Sequence, residues 1–288
     1  MMASFIYLVP VIVGMVTVYI AERRTRRTWS YYIWAPSVAN TLFVIGTLLI
    51  MVEGWICAII ILPLFAVLGS IGGLIMGVVS RTTRWPKQTL YSVAVLPFIL
   101  GGLEAEAPLP EQINRIERTI VINAPPSQVW AQIHNALDIQ HEEVNFAWAY
   151  RIGVPVPISG ISQQTPTGIV RKISMGKGIH FDQVVAEWKE NEYVRWTYRF
   201  DRDSFPPRAL DDHVRIGGQY FDFKDTSYTL RPHGHGTELT LRMQYRVSTR
   251  FNWYANAVAK VLLGNVEETL LNFYRHRSEN AVTQTKPL

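Results

Sequence analysis

The first hundred residues contain long stretches with almost no charged side chains, and this feature limits the possible folds more than any other. Residues 4–21 carry no charge, and Glu53 is the only charged residue between positions 31 and 80. A soluble core does not require apolar runs of about 20 residues, whereas a hydrocarbon layer about 30 Å thick does. After Glu104, charged residues recur every few positions. The sequence therefore predicts an all-α transmembrane helical region followed by a water-soluble domain.

The apolar stretches predict about four transmembrane helices, at residues 4–21, 33–52, 55–79 and 89–103. The fourth is the weakest, because about 15 residues span only roughly 22 Å as a helix. It also contains Pro97. A re-entrant or interfacial helix is therefore the alternative for this segment.

Two short basic loops predict the orientation of the helices. Arginine and lysine accumulate in loops that stay on the cytoplasmic side. Four spans would place both termini and the soluble domain on the non-cytoplasmic side of a plasma or inner membrane. If the fourth segment does not cross, the soluble domain is cytoplasmic. The basic residues are Arg23, Arg24, Arg26 and Arg27 after the first segment, and Arg81, Arg84 and Lys87 after the third.

The third segment carries Gly69, Gly73 and Gly77 at intervals of four residues, on one helical face. Glycine allows two helix backbones to approach closely in a lipid environment. These glycines predict a helix-packing face, used either within the chain or to join a second copy or another membrane subunit. The spans carry almost no charge, which argues against an ion or proton pathway.

The second half of the chain has the element order of an α+β domain. Residues 104–114 are expected to form a polar linker, residues 115–280 the domain, and residues 281–288 a C-terminal tail. Alternating apolar residues predict strands, and a 3.6-residue apolar stripe predicts a long final helix. The predicted strands are 115–123, 167–174, 180–189, 192–201, 219–231 and 237–247, with helices near 126–133, 137–144 and 252–279.

The segment 120–130, IVINAPPSQVW, resembles the opening of the START-like, or polyketide cyclase/dehydrase, superfamily (SRPBCC). The long amphipathic helix at the end of the chain resembles that superfamily as well. The resemblance covers about residues 114–280 and implies a helix-grip fold, in which a curved antiparallel sheet wraps around the last helix with an apolar cavity between them. The opening motif carries no catalytic residue and so identifies fold better than function.

The resemblance implies that inward-facing aromatic and apolar residues of the strands line the cavity, with two further aromatic residues near the start of the final helix. Such a lining suits a hydrophobic small molecule or lipid. The alternative is that these side chains simply fill the core. The candidate ligand-binding residues are Trp188, Trp196, Tyr198, Tyr228, Met243, Tyr245, Trp253 and Tyr254.

Evidence for catalysis in the sequence is weak. Asp212 and His213 are adjacent, and an acid beside a histidine can tune proton transfer, but a solvated surface loop or a lid explains them better. His233 and His235 in a glycine-rich turn do not provide a standard zinc-ligand set. The single cysteine, Cys57, lies in an apolar segment. We expect no metal and no cofactor.

The net charge of +5 is concentrated in the basic loops, so nucleic acid is not an expected partner. Three functions remain open. The leading one is a membrane-anchored domain that binds a hydrophobic small molecule or lipid. The second is a cyclase- or dehydrase-type enzyme acting on an apolar substrate, and the third is a structural or partner-binding membrane subunit. The sequence favours a binding protein over an enzyme.

Overall fold

The computed structural model describes residues 3–50, 54–83, 95, 97, 99–102, 104, 108–144, 146–166 and 168–285. The chain divides into two compact units. The first comprises Met1–Pro110 and Thr249–Phe251, and the second comprises Glu111–Ser248 and Asn252–Leu288.

The first unit contains three helices that are long and apolar enough to cross a membrane. They are α1 (Ala3–Glu22), α2 (Trp29–Leu49) and α3 (Trp55–Thr82), and they coincide with the first three predicted spans. Most of the predicted fourth span, residues 89–103, lies outside the described residues. Those of its residues that are described, at positions 95, 97 and 99–102, are helical.

The predicted glycine face of α3 lies against α2. A Cβ atom added to Gly69 would collide with the side chain of Asn40. One added to Gly73 would meet the carbonyl oxygen of Tyr32, and one added to Gly77 would meet the Tyr32 ring. These three glycines therefore allow close packing of two helices of the same chain.

Polar side chains between the helices are hydrogen-bonded to one another or to the backbone. The Asn40 amide nitrogen, fully buried, donates to the carbonyl oxygens of Pro10 at 3.2 Å and Pro36 at 3.0 Å. The hydroxyls of Ser37 and Ser70 lie 2.8 Å apart. Such bonds stabilise helix association where water is absent. The outer surfaces are apolar, with Trp34, Leu42, Leu49 and Val67 all more than half exposed.

The second unit is a curled antiparallel sheet of eight strands with a long C-terminal helix, as the helix-grip prediction requires. The spatial order is β1-β8-β7-β6-β5-β4-β3-β2, and every neighbouring pair is antiparallel. The strands are β1 (Glu111–Ile122), β2 (Asn135–Ala136), β3 (Pro157–Thr165), β4 (Gly168–Met175), β5 (His180–Lys189), β6 (Tyr193–Arg199), β7 (Phe221–His233) and β8 (Gly236–Ser248).

Local sequence explains where several elements begin and turn. Helix α4 (Pro126–His134) begins with a proline at its first position, where no backbone N–H is required. The β7–β8 hairpin closes between His233 and Gly236, and Gly234 takes a φ of +59°, which glycine adopts without strain. Register shifts in β3, β5 and β7 bend these strands, as bulges do, and so curl the sheet.

The final helix, α7 (Asn252–Thr285), packs against β1, β8 and α4. Two short helices, α5 (His141–Val144) and α6 (Trp148–Arg151), also lie beside it. Arg277 of α7 donates to both carboxylate oxygens of Glu143, at 2.8 and 2.7 Å. This ion pair holds α7 against α5.

The elements differ from the sequence prediction in several places, and strand β2 and helix α6 were not predicted. Strand β1 begins at Glu111, within the stretch 104–114 expected to be a linker. Strand β3 was not predicted. Helix α7 continues to Thr285, into the expected tail at 281–288.

Candidate functional site

The inner face of the curved sheet carries most of the aromatic residues predicted to line a cavity. Strand register pairs Trp196 with Thr226 and Thr226 with Met243, so these three side chains share one face. The neighbouring row pairs Val194 with Tyr228. Trp196, Tyr228 and Met243 are buried. Their role as ligand contacts stays a prediction.

An aromatic cluster, consisting of Trp130, His134, Trp188 and Trp196, lies where α4 meets the sheet. The His134 ring is 4.5 Å from the Trp130 ring, 4.6 Å from Trp188 and 5.5 Å from Trp196, between centroids. Trp130 and Trp188 meet edge to face at 4.8 Å. Trp188 is 38% exposed, whereas the other three are buried. The cluster therefore reaches from the interior to the surface.

A row of polar side chains crosses four strands on the same inner face. Ser162 of β3 pairs with Arg171 of β4, Arg171 pairs with Gln183 of β5, and Gln183 pairs with Tyr198 of β6. Residues directly opposite one another in antiparallel strands point to the same side. Arg171 and Gln183 are 5% and 6% exposed, so this row is an interior feature.

The guanidinium of Arg171 is held by neutral groups. Its Nη1 donates to the Gln183 side-chain oxygen at 3.1 Å, and its Nη2 donates to the Tyr274 hydroxyl at 3.1 Å. The Tyr274 hydroxyl in turn lies 3.5 Å from that of Tyr228. The buried Nε of Arg171 has no hydrogen-bond partner among the described residues. A Cβ atom on Gly160 would collide with the guanidinium, so glycine at this position leaves room for it.

His134 is neutral in the folded protein. Burial lowers the pKa of His134 to about 3, and the positive charge of Arg171 adds to the shift. Its Nδ1 is 2.9 Å from the Ser162 hydroxyl oxygen, and its Nε2 has no partner in the described part of the chain. The indole Nε1 of Trp196 is likewise buried without one. The site thus combines apolar rings with several unsatisfied polar nitrogens.

Tyrosine hydroxyls complete the inner face. The Tyr198 hydroxyl lies 2.5 Å from the Thr226 hydroxyl, and burial raises the pKa of Tyr198 to about 12. Burial also raises the pKa values of Tyr228, on the same face, and of Tyr150, which lies on α6 and packs against the core. All three are therefore neutral at physiological pH and act only as hydrogen-bonding groups.

Tyr245 lies on the same face of β8 as Met243, near the start of α7, whereas Trp253 and Tyr254 lie on α7 itself. The Tyr245 hydroxyl donates to the Asn256 side-chain oxygen at 2.8 Å, and this residue is fully buried. Trp253 is 61% exposed and its ring contacts Tyr254. That exposure disfavours Trp253 as part of a buried lining, and Tyr254 is half-buried beside it.

The two weak catalytic candidates occupy the long loop before β7. Asp212 points to solvent, where it lies 3.6 Å from the Arg215 guanidinium. The His213 ring packs edge to face on Tyr220 at 5.1 Å. Neither arrangement indicates proton transfer. Within the described ranges, no three His, Cys, Asp or Glu side chains are grouped so that they could hold a metal ion.

The sequence analysis missed Arg171, His134 and Glu267. Glu267 of α7 is fully buried, and burial raises its pKa to about 8, although Arg118 opposes the shift. The sequence did contain a signal for Arg171. It lies two residues from Ile169 and from Ile173 in β4, so the three share one face, and both isoleucines pack against buried cores. A charged residue on the otherwise apolar face of a strand indicates either that the core ends there or that the charge has a function inside the core.

Residues 114–276, more than half of the chain, match the family described as polyketide cyclase / dehydrase and lipid transport. The chain belongs to this family. Members of this SRPBCC family bind hydrophobic ligands or act as cyclases. A comparison with curated proteins found no match.

Solved structures resemble this polyketide cyclase/dehydrase domain only distantly. The di-domain ARO/CYC StfQ from the steffimycin biosynthetic pathway is 8% identical, with a TM-score of 0.38; the match covers 70% of this chain and 63% of StfQ. Ara h 8.0201 is 11% identical, with a TM-score of 0.36, over 60% of this chain and all of that one. MLL2253 from Mesorhizobium loti is 16% identical, with a TM-score of 0.33, over 60% of this chain and all of that one.

Proposed function

We propose that this protein is a membrane-anchored START-like domain that binds a hydrophobic small molecule or lipid between the curved sheet and α7. The observation that carries the proposal is the set of buried nitrogens without protein partners on an aromatic inner face, namely Arg171 Nε, His134 Nε2 and Trp196 Nε1. Buried polar atoms in folded proteins are nearly always hydrogen-bonded. A bound molecule could pack its apolar surface against the aromatic rings and form hydrogen bonds to these nitrogens with its few polar atoms.

The three apolar helices support the same proposal. Helices that cross a membrane tether the domain to a bilayer, where apolar ligands are concentrated. A soluble carrier would not need such an anchor. The membrane region would then act as an anchor and packing module, in keeping with its nearly uncharged spans.

The test is to purify the full-length protein in a mild detergent and identify bound molecules by native mass spectrometry and solvent extraction. Thr226→Phe introduces a ring on the inner face, where Thr226 is only 2% exposed. Thr240→Phe is the matched control on the outer face of β8, where Thr240 contacts Thr119 at an exposed position. We expect a bound molecule in the wild type and in Thr240→Phe, and its loss in Thr226→Phe. A wild type with no bound molecule that also fails to bind Nile red would refute the proposal.

Glu267 favours a second candidate function, a cyclase- or dehydrase-type enzyme. A buried carboxyl with a pKa raised to about 8 exchanges protons near neutral pH, as a general acid or base must. If the domain is an enzyme, an extracted ligand will be converted on incubation with wild-type protein, with loss of the mass of water for a dehydration or a changed chromatographic retention at equal mass for a cyclisation. Glu267→Gln will leave the ligand unchanged. An unaltered ligand with wild-type protein would exclude this second function for that molecule.

A further inference from the structure

Arg171 is a buried cation that lacks an anionic partner. Only 5% of the Arg171 surface is exposed. In the described ranges, no aspartate or glutamate forms an ion pair with it, and its side-chain hydrogen bonds go to Gln183 and Tyr274. Burying an isolated charge is very unfavourable, and proteins normally pair it. An arginine cannot avoid this cost by losing its proton. The site therefore carries a positive charge with which no carboxylate of the described residues forms an ion pair.

The groups around Arg171 are neutral, and several of them are hydrogen-bond donors. The Arg171 Nε and Trp196 Nε1 atoms can only donate, and both are buried without an acceptor. His134 stays neutral and places its free Nε2 in the same region, since the Arg171 charge acts on it. An excess of donors and one uncompensated positive charge are complementary to an anion rather than to a neutral polar group.

Neighbouring residues hold the Arg171 guanidinium in a fixed position on the inner face of the sheet. Gly160 provides the space, while Gln183 and Tyr274 fix the two terminal nitrogens. Nε is the guanidinium nitrogen that has no acceptor among the described residues. Arginine binds a carboxylate or phosphate through Nε and a terminal nitrogen together, which gives two parallel charge-assisted hydrogen bonds.

We propose that the ligand is an amphiphile with an anionic head, a carboxylate or a phosphate monoester, which pairs with Arg171 while its apolar part packs against Trp130, Trp188 and Trp196. This inference rests on the proposed function and adds the chemical class of the ligand. The aromatic cluster adjoins the arginine through His134, which contacts all three tryptophan rings. The cluster therefore offers apolar surface next to the charge.

The test compares two ligands that share the same hydrocarbon chain, one with a charged head group and one with a neutral head group. Binding of cis-parinaric acid and of its methyl ester to the full-length protein is measured by fluorescence in a neutral maltoside detergent at about pH 8, with protein-free micelles as the blank. We expect the acid to bind at least about tenfold more tightly than the ester. Arg171→Met should weaken binding of the acid on the order of 10- to 100-fold and change binding of the ester by less than about twofold.

Arg199→Met is the matched control, because Arg199 is an exposed arginine of β6 that already has a carboxylate partner in Asp182. It should change neither affinity. Equal affinity of the wild type for acid and ester would overturn the anionic-head inference and leave the proposed function intact. Loss of both ligands in a folded Arg171→Met protein would also overturn it, since Arg171 would then be purely structural. Failure of the wild type to bind either ligand would refute the proposed function itself.

The wild-type comparison needs no variant, so it decides the question even if Arg171→Met does not fold. Arg171→Lys, which keeps the charge but loses the two-pronged geometry, should retain a reduced preference for the acid. Competition by dodecanoate, dodecyl phosphate and dodecanol then distinguishes a preference for a carboxylate head group from a preference for a phosphate head group. We expect one of the two anions to displace cis-parinaric acid at lower concentration than dodecanol. Displacement by dodecanol at equal or lower concentration than both anions would overturn the inference.

Discussion

At the scale of single residues, Glu267 links stability to pH. Burial raises its pKa to about 8 from an ordinary value of 4.5, Arg118 opposes the shift, and Glu117 adds to it. The folded state therefore holds a proton that the unfolded state releases above pH 4.5. The contribution of Glu267 to stability is fully present below pH 4.5, declines as pH rises, and is lost above about pH 8.

We predict that Glu267→Gln removes this dependence. Between pH 5 and pH 8 the free energy of unfolding of the wild type should fall by roughly 2–4 kcal/mol more than that of the variant. Thermal unfolding of the full-length protein in detergent, followed by circular dichroism at several pH values, measures the difference. Glu268→Gln is the control, because Glu268 is half exposed beside Arg118. Parallel pH profiles of wild type and Glu267→Gln would contradict the prediction.

Gly160 gives a second prediction at this scale. Gly160→Ala should destabilise the domain by about 1–3 kcal/mol, because the added methyl group displaces the buried guanidinium of Arg171. At Gly176 an added Cβ makes only ordinary contacts, the nearest at 3.6 Å, so Gly176→Ala serves as the matched control. Urea unfolding followed by tryptophan fluorescence compares the two. Equal midpoints would show that Arg171 adjusts without cost.

Residue positions on the inner face were predictable where polar and apolar residues alternate. The alternation in β6, β7 and β8 placed Trp196, Tyr228 and Met243 on one face, and strand pairing agrees. Arg171 and His134 were missed because strand alternation treats a charged residue as solvent-facing, and because residues brought together by α4 are distant in sequence. Charge burial depends on tertiary contacts, which a periodic pattern does not contain.

At the scale of elements, the close packing of α2 and α3 depends on glycine. We predict that Gly73→Val lowers the thermal midpoint of the helical unit by several degrees, because its side chain would collide with the Tyr32 carbonyl and Pro36. Gly46→Val is the control on α2, where an added Cβ meets nothing within 4 Å. Thermal unfolding in detergent, monitored by helical circular dichroism, measures both. A midpoint for Gly73→Val equal to that of Gly46→Val would contradict the packing described here.

Elements with strong periodicity were predicted well and those without it were not. Strand β5 has the predicted bounds because apolar and polar residues alternate along it. Strand β3 was missed because Ser159, Gly160 and Ser162 offer no apolar alternation, and pairing with β4 rather than intrinsic propensity makes it a strand. Its Gly160 is the residue that leaves space for the Arg171 guanidinium. The element hardest to predict therefore borders the candidate site.

At the scale of the whole molecule, the basic loops predict which side of the membrane each loop faces. In a Cys57→Ser background, Thr25→Cys in the α1–α2 loop should react with a membrane-impermeant maleimide in inside-out vesicles and not in right-side-out vesicles. Gln112→Cys reports the side of the domain. If Gln112→Cys is labelled from the side of the membrane opposite to Thr25→Cys, segment 89–103 crosses the membrane. If both cysteines are labelled from the same side, the segment does not cross. Reaction of Thr25→Cys in right-side-out vesicles would contradict the predicted orientation.

The tryptophan rings around His134 give the domain a property useful for testing whether it binds a ligand. Indoles as close as Trp130 and Trp188, 4.8 Å apart between centroids, couple electronically and produce a circular dichroism signal that depends on their mutual angle, here 73°. A molecule that enters or leaves the inner face would alter that angle or the surroundings of the rings. The protein thus contains its own label-free optical reporter, with which extracts can be screened before the chemical identity of any bound molecule is known.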